Sequence, residues 1–358
     1  MLYLFFTADH EMYFGENWAS EYEVFIDPTY RLMGVLERYD IPLCLMTDVC
    51  SMLRYRELRI ERPYVSQMNE QIISAIKRGH DVQLHIHPHW MTSDYVDGRW
   101  RFDSSHYSLH KFGFTDNDAG AKRIIREGKE YLENLIKPVD DTYECMAFRA
   151  GGWCLQPEKE FIEALLTAGI KVDTTVFYGG YRKTDTHYYD FRRVPPKTHW
   201  WINPRQGLNC EGEKDGKNMF EVTIGSYQEL FFTPLKKLKH KYYRMKTGTA
   251  GENPLGSSIE DKNASVLTKM MDRAGHFLFQ PIMFSFDNCC VEVMVDMLDH
   301  FIKRYKCWNN DNYICIVGHP KTLNNKTYRE INEFCKTVID NYSKVVKFHK
   351  LSEIQNLI

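Results

Sequence analysis

Short apolar runs rich in β-branched and aromatic residues recur along this chain, and longer stretches of helical period separate most of them. This alternation constrains the fold more than any other feature. A strand–helix–strand rhythm calls for parallel strands with helices packed on their faces. The predicted strands are Leu2–Thr7, Ile41–Thr47, Asp81–His85, Cys145–Phe148, Ile170–Thr175, Met219–Ile224, Pro281–Ser285 and Tyr313–Val317. The predicted helices are Pro28–Tyr39, Val65–Lys77, Ala121–Ile136, Pro157–Ala168, Asn263–Ala274, Val291–Lys306 and Tyr328–Tyr342. Pro28 and Pro157 stand at plausible first-turn positions, and Gly79 and Gly169 follow helices that must stop. Seven or eight such units predict a distorted (β/α)7–8 barrel, closed or nearly closed, over one domain spanning 1–358. Two stretches break the rhythm, 178–218 and 239–262, and are expected as loop insertions over one end of the barrel.

The 358 residues suffice for a barrel with insertions and a large core. Hydrophobic residues at 43%, charged residues at 26% and a net charge of −2 suit a water-exposed enzyme and give no general attraction to nucleic acid. No apolar run approaches the ~20 residues of a membrane span. The basic stretches Lys236–Lys241 and Arg192-Arg193 could meet a phosphate or a membrane face. A lysine-rich segment reads first as a solvated surface, and membrane contact has no other support here. The ten cysteines are scattered without a Cys-x-x-Cys pair, which predicts free thiols. Met1 leads directly into Leu-Tyr-Leu-Phe-Phe-Thr, with no basic region and no small-residue cleavage site. A cytoplasmic location is therefore expected.

Four stations at predicted strand ends carry residues suited to chemistry. The sharpest is His80-Asp81-Val82-Gln83-Leu84-His85-Ile86-His87-Pro88-His89-Trp90. With a single turn after the strand, His85 and His89 project to one side and can share an ion, while His87 points elsewhere. At the end of the first strand stands Thr7-Ala8-Asp9-His10-Glu11. In extended chain Asp9 and Glu11 face one way and His10 the other. One carboxylate could complete a metal site while the other serves as general base. The third station is Arg149-Ala150-Gly151-Gly152-Trp153, where glycines permit close backbone approach and arginine can orient a carboxylate. The fourth is Val317-Gly318-His319-Pro320, a histidine past the last strand.

Taken together and in order, these stations resemble the polysaccharide deacetylases, the NodB-homology carbohydrate esterases. The family's acidic opening motif is matched by Thr7–Glu11, its histidine pair by Gly79–His89, its arginine motif by Arg149–Trp153 and its final histidine by His319. The resemblance implies a barrel of the deacetylase type, a divalent metal (zinc above all) and hydrolysis of an N-acetyl, or an O-acetyl, group. It implies Asp9 as general base, Arg149 as its holder, His319 as general acid and Asp173 as the acid that tunes that histidine. His85 and His89 would bind metal, with Glu11 as third ligand and His10 as the alternative. Trp90 and Trp153, with Gly151 and Gly152, would form the substrate wall. The substrate would be an amino sugar, sugar nucleotide or oligosaccharide precursor in surface-polysaccharide synthesis. The competing readings are a hydrolase of another C–N bond, formamide or ureide, and an inactive carbohydrate-binding relative. The first motif departs from the family, with His10 where an aspartate is usual, and Ile86 replaces a small hydroxyl residue.

Overall fold

A computed structural model describes residues 1–15, 17–115, 119–229, 232–249, 255–256, 280–287 and 289–357. Its main sheet contains β1 (Leu2–His10), β2 (Leu43–Asp48), β3 (Asp81–Ile86), β4 (Ala147–Ala150), β5 (Val172–Asp173), β6 (His199–Ile202), β7 (Met219–Val222) and β8 (Asn312–Gly318). They lie in the order β6-β7-β5-β4-β3-β2-β1-β8, and Val346–Phe348 adds to β1. Every pairing is parallel except β6 with β7. β2 and β3 are buried at every position, as parallel strands covered on both faces must be. Single bridges from Ile224 to Cys315 and from Ser285 to Val317 bring the far edge round to β8. The sheet is thus a nearly closed barrel.

Eight helices are described alongside it: α1 (Asp27–Leu36), α2 (Cys50–Glu57), α3 (Pro63–Lys77), α4 (Gly120–Ile136), α5 (Glu158–Thr167), α6 (Phe232–Thr247), α7 (Val291–Arg304) and α8 (Asn325–Tyr342). Each long helix other than α6 buries one apolar stripe. In α4 it is Ala121, Ile124, Ile125, Gly128, Leu132 and Ile136. Gly128 lets α4 press onto β3, since a Cβ there would sit 2.9 Å from Val49 and 3.0 Å from Leu84. α8 starts on a reciprocal cap between Asn324 and Thr327.

Each predicted strand overlaps an observed one, though Ile282–Met283 pairs with Ser226–Tyr227 outside the main sheet. The predicted helix Asn263–Ala274 lies outside the described residues. The stretch 178–218 carries a small hairpin (Tyr181–Lys183 with Tyr188–Asp190) and strand β6. The stretch 239–262 is not simply loop, because α6 runs through its first nine residues to Thr247. Among the described residues all ten cysteines are free.

Candidate metal centre

Register puts the key side chains at one end of the barrel. Asp48, His85 and Arg149 pair across β2, β3 and β4, where those strands finish. β1 runs further than its apolar pattern suggests, as far as His10, so alternation carries past Thr7. His10 turns into the core, ring to ring with Phe25, and its nitrogens meet Thr47 Oγ1 at 3.2 Å and Gln71 Oε1 at 2.9 Å. Burial drives its pKa down to about 4. Glu11 faces the other way. Its Oε2 lies 3.0 Å from His85 Nε2 and 2.6 Å from His87 Nε2.

His87, and not His89, is the second histidine of this group, which corrects the spacing expected from sequence. The chain stays extended beyond β3, with His87 at φ −111° and ψ 88°, so residues two apart share a side. Pro88 then opens a short 3₁₀ turn that carries His89 into an aromatic box, stacked on Tyr107 at 5.4 Å. Both His89 ring nitrogens are buried without a hydrogen-bond partner. Asp48 accepts the His87 main-chain N–H at 3.1 Å and helps set the extended segment. Burial lifts the Asp48 carboxyl to about 7.

The Glu11, His85 and His87 ligand atoms all lie within 4.8 Å of one another, and all three residues are buried. Two imidazoles and one carboxylate are a suitable donor set for a divalent cation. The tautomer of His85 agrees. Its Nδ1 sits 2.8 Å from the Arg149 carbonyl oxygen, which can only accept, so Nδ1 must carry the proton. Burial works against a charged His85, but Asp9 and Glu11 raise its pKa; in the neutral ring the Nε2 lone pair would face the Glu11 carboxylate, an arrangement that a cation between them relieves. On its other side Glu11 is held by Lys321, whose Nζ is 2.7 Å from Oε1 and 2.9 Å from the Met12 carbonyl. Burial alone would raise the Glu11 carboxyl, but Lys321 and His87 outweigh it and hold it well below the usual carboxylate range.

Asp9 and His319 stand beside this group. Arg149 is fully buried and makes three bonds to two segments: it reaches Asp9 Oδ1 at 2.6 Å and Thr7 Oγ1 at 2.8 Å on β1, and the Thr174 carbonyl at 3.1 Å after β5. The free oxygen, Asp9 Oδ2, is 3.6 Å from His319 Nε2. The other ring nitrogen of His319 bonds Asp287 Oδ2 at 2.7 Å, and its main-chain N–H bonds Asp287 Oδ1 at the same distance. Thr322 Oγ1 also donates to Asp287 Oδ1, at 2.8 Å. Burial works against a charged His319, yet Asp287 prevails and raises its pKa to about 9.

Asp287 thus occupies the place expected for Asp173. Asp173 lies inside the barrel at the β5 end, where Oδ1 accepts from Thr175 Oγ1 at 2.7 Å. Its carboxyl neighbours Glu221, and burial raises both pKa values. Trp90 is also displaced from its expected role. It has no exposure and packs edge-on to Trp100 and Phe102 beneath the site. Trp153 does line the cleft, with Gly152 beside it. At Gly151 an added Cβ would collide with the Ile86 carbonyl and come 2.8 Å from the His87 ring. Asp287 and Lys321 were missed in the sequence, although both obey the rule that carried the other residues, a polar group just past a strand.

The cleft over these residues has a volume of about 1060 Å³. Phe14, Tyr107, Trp153 and Phe177 form aromatic walls, while Arg182, Lys237, Lys241 and Arg244 bring positive charge to it. Arg182 comes from the stretch 178–218, and Lys241 and Arg244 from the stretch 239–262, so both stretches reach the cleft.

No family model matches the chain, and no curated protein matches it in sequence. Solved structures do match. In structure the chain resembles polysaccharide deacetylases. A candidate polysaccharide deacetylase from Mycobacterium smegmatis aligns with 100% of this chain and 90% of its own, at 12% identity and a TM-score of 0.47. A peptidoglycan N-acetylglucosamine deacetylase catalytic domain from Eubacterium rectale aligns over 98% and 87%, at 11% identity and a TM-score of 0.37. An allantoinase aligns over 99% and 89%, at 10% identity and a TM-score of 0.48. These likenesses concern the path of the chain, and the roles below rest on the side chains themselves.

Proposed function

We propose that this chain is a metal-dependent deacetylase that hydrolyses the N-acetyl group of an amino sugar, or the corresponding O-acetyl ester, in a polysaccharide precursor. The carrying observation is the placement of Asp9 and His319 around the Glu11–His85–His87 group, each backed by a partner of opposite charge. A divalent cation on those three ligands, zinc in our reading, would polarise the acyl oxygen and acidify a water molecule. Asp9 Oδ2 accepts the proton of the attacking water, while Arg149 keeps Oδ1 and the carboxylate plane in place. His319, protonated at neutral pH, donates from Nε2 to the departing nitrogen. The acyl C–N bond breaks as a C–O bond forms, leaving acetate and a free amine. The aromatic walls suit the faces of a sugar ring. A precursor made in the cytoplasm is the substrate this reading expects.

The test is release of acetate from N-acetylated amino sugars, with formate and ammonia measured beside it. Asp9→Asn is expected to lower kcat by about 10²–10⁴-fold while bound metal per chain stays unchanged. Full turnover by Asp9→Asn, or formate or ammonia in place of acetate, would overturn the assignment.

A further inference from the structure

Helix α6 is amphipathic in the wrong sense for a helix in water. A surface helix normally turns its apolar stripe inward and its charges outward. Here the inward face carries Thr233, Lys236, Lys237, His240 and Arg244. Lys236 and His240 both bond Asp296 of α7, at 2.7 Å and 2.9 Å. Lys237 donates to the Gln280 carbonyl at 2.6 Å. The outward face carries Leu235, Leu238, Tyr242 and Met245, which are 61%, 53%, 62% and 65% exposed. Their spacing of three, four and three residues places them in one stripe along the helix. Phe232, 61% exposed, stands at its first turn. Single exposed apolar residues are ordinary, but a continuous stripe marks a surface made to be covered.

From this stripe and its surroundings we infer that α6 seats the protein on an anionic lipid bilayer, with the mouth of the cleft beside the lipid. Charge selects that occupant. Lys241 and Lys246 are exposed along the borders of the stripe, and Lys239, paired to Asp296 at 3.1 Å, lies on the Lys246 side, the pattern of a helix lying in the headgroup layer. A second copy of the chain would bring these lysine borders against each other. Continuity with the site points the same way, because Lys237, Lys241 and Arg244 of this helix line the cleft. A helix is only about 10 Å across, so the lipid surface and those cations are neighbours. An acylated sugar carried on a lipid phosphate would pass its phosphate to the cations and its acetyl group to the metal centre. That last step rests on the deacetylase reading; the docking itself does not.

The experiment is co-sedimentation of the full chain with vesicles, which needs no turnover. Vesicles of phosphatidylcholine containing about one-third phosphatidylglycerol are compared with phosphatidylcholine alone. Wild-type protein is expected to bind the anionic vesicles, and to release as salt is raised. The variant Leu235→Ser/Leu238→Ser/Tyr242→Ser/Met245→Ser should lose binding by at least about tenfold. Those four side chains lie outside the catalytic machinery, so its turnover of a water-soluble acetylated amino sugar should match wild type. Equal sedimentation of the two proteins overturns the docking. So does a wild-type dimer that the variant converts to monomer, because the stripe would then belong to a protein contact. Vesicle binding without any deacetylation leaves the docking standing and sinks only the proposed reaction.

Discussion

At the scale of single residues, the two histidines after β3 divide the work unequally. His87 lies against Glu11 and His85, while His89 is packed among rings. His87→Ala should therefore lower bound metal per chain, whereas the ring-preserving His89→Phe should retain it; elemental analysis reads both. Equal loss from the two would return His89 to the ligand set. His319 supplies the second residue-scale expectation. Asp287 raises its pKa to about 9, so the protonated imidazole persists through neutral pH and is lost as pH rises through that value. Activity should fall along an alkaline limb near there. Asp287→Asn removes the charge that holds the proton, and the limb should move down by about a unit or more. A pH profile of kcat/KM measures it, and an unmoved limb would separate Asp287 from the acid.

At the scale of elements, the strands were legible because burial on both faces leaves uninterrupted apolar runs such as Leu43–Thr47. What lay just beyond them was less so. The His85/His89 pairing assumed a helical turn where the chain remains extended for one more residue, and two-residue alternation brings His87 in instead. Trp90 announced itself as aromatic, but the 3₁₀ turn after Pro88 decides that it points into the core. Asp287 follows a short segment that pairs outside the main sheet, so no strong periodic signal leads up to it. Lys321, one residue past Pro320, looks like a solvated loop lysine until the fold brings Glu11 to it. The turn after β4 makes a prediction of its own. Gly151 allows that turn to lie against Ile86 and His87 without a side chain between them. Gly151→Ala should cost about 1–3 kcal/mol and displace the His87 ring, seen as a lowered Tm together with weaker metal retention.

On the scale of the whole molecule, the barrel is tied across its interior by one guanidinium. Arg149 joins β1 at Thr7 and Asp9 to the segment after β5 at Thr174, with no solvent exposure. Removing one partner of such a pair leaves a buried charge uncompensated. Arg149→Leu should lower unfolding stability by about 3–5 kcal/mol, measured by urea denaturation, and a loss below about 1 kcal/mol would show the tie to be dispensable. The stretches 178–218 and 239–262 act at this scale too. Arg182 on one and Arg244 on the other stand on the same cleft, although more than fifty positions separate them. Neither stretch has a rhythm that foretells this meeting.

Arg149 also has a main-chain role. Its carbonyl orients His85 while its side chain clamps Asp9. His85 and Asp9 are thereby surveyed from a single benchmark. A shift of β4 would carry both along, so the interval between them would change less than either would against the rest of the barrel. Accuracy at the reacting atoms then comes from a shared origin, and the surrounding scaffold can remain comparatively soft.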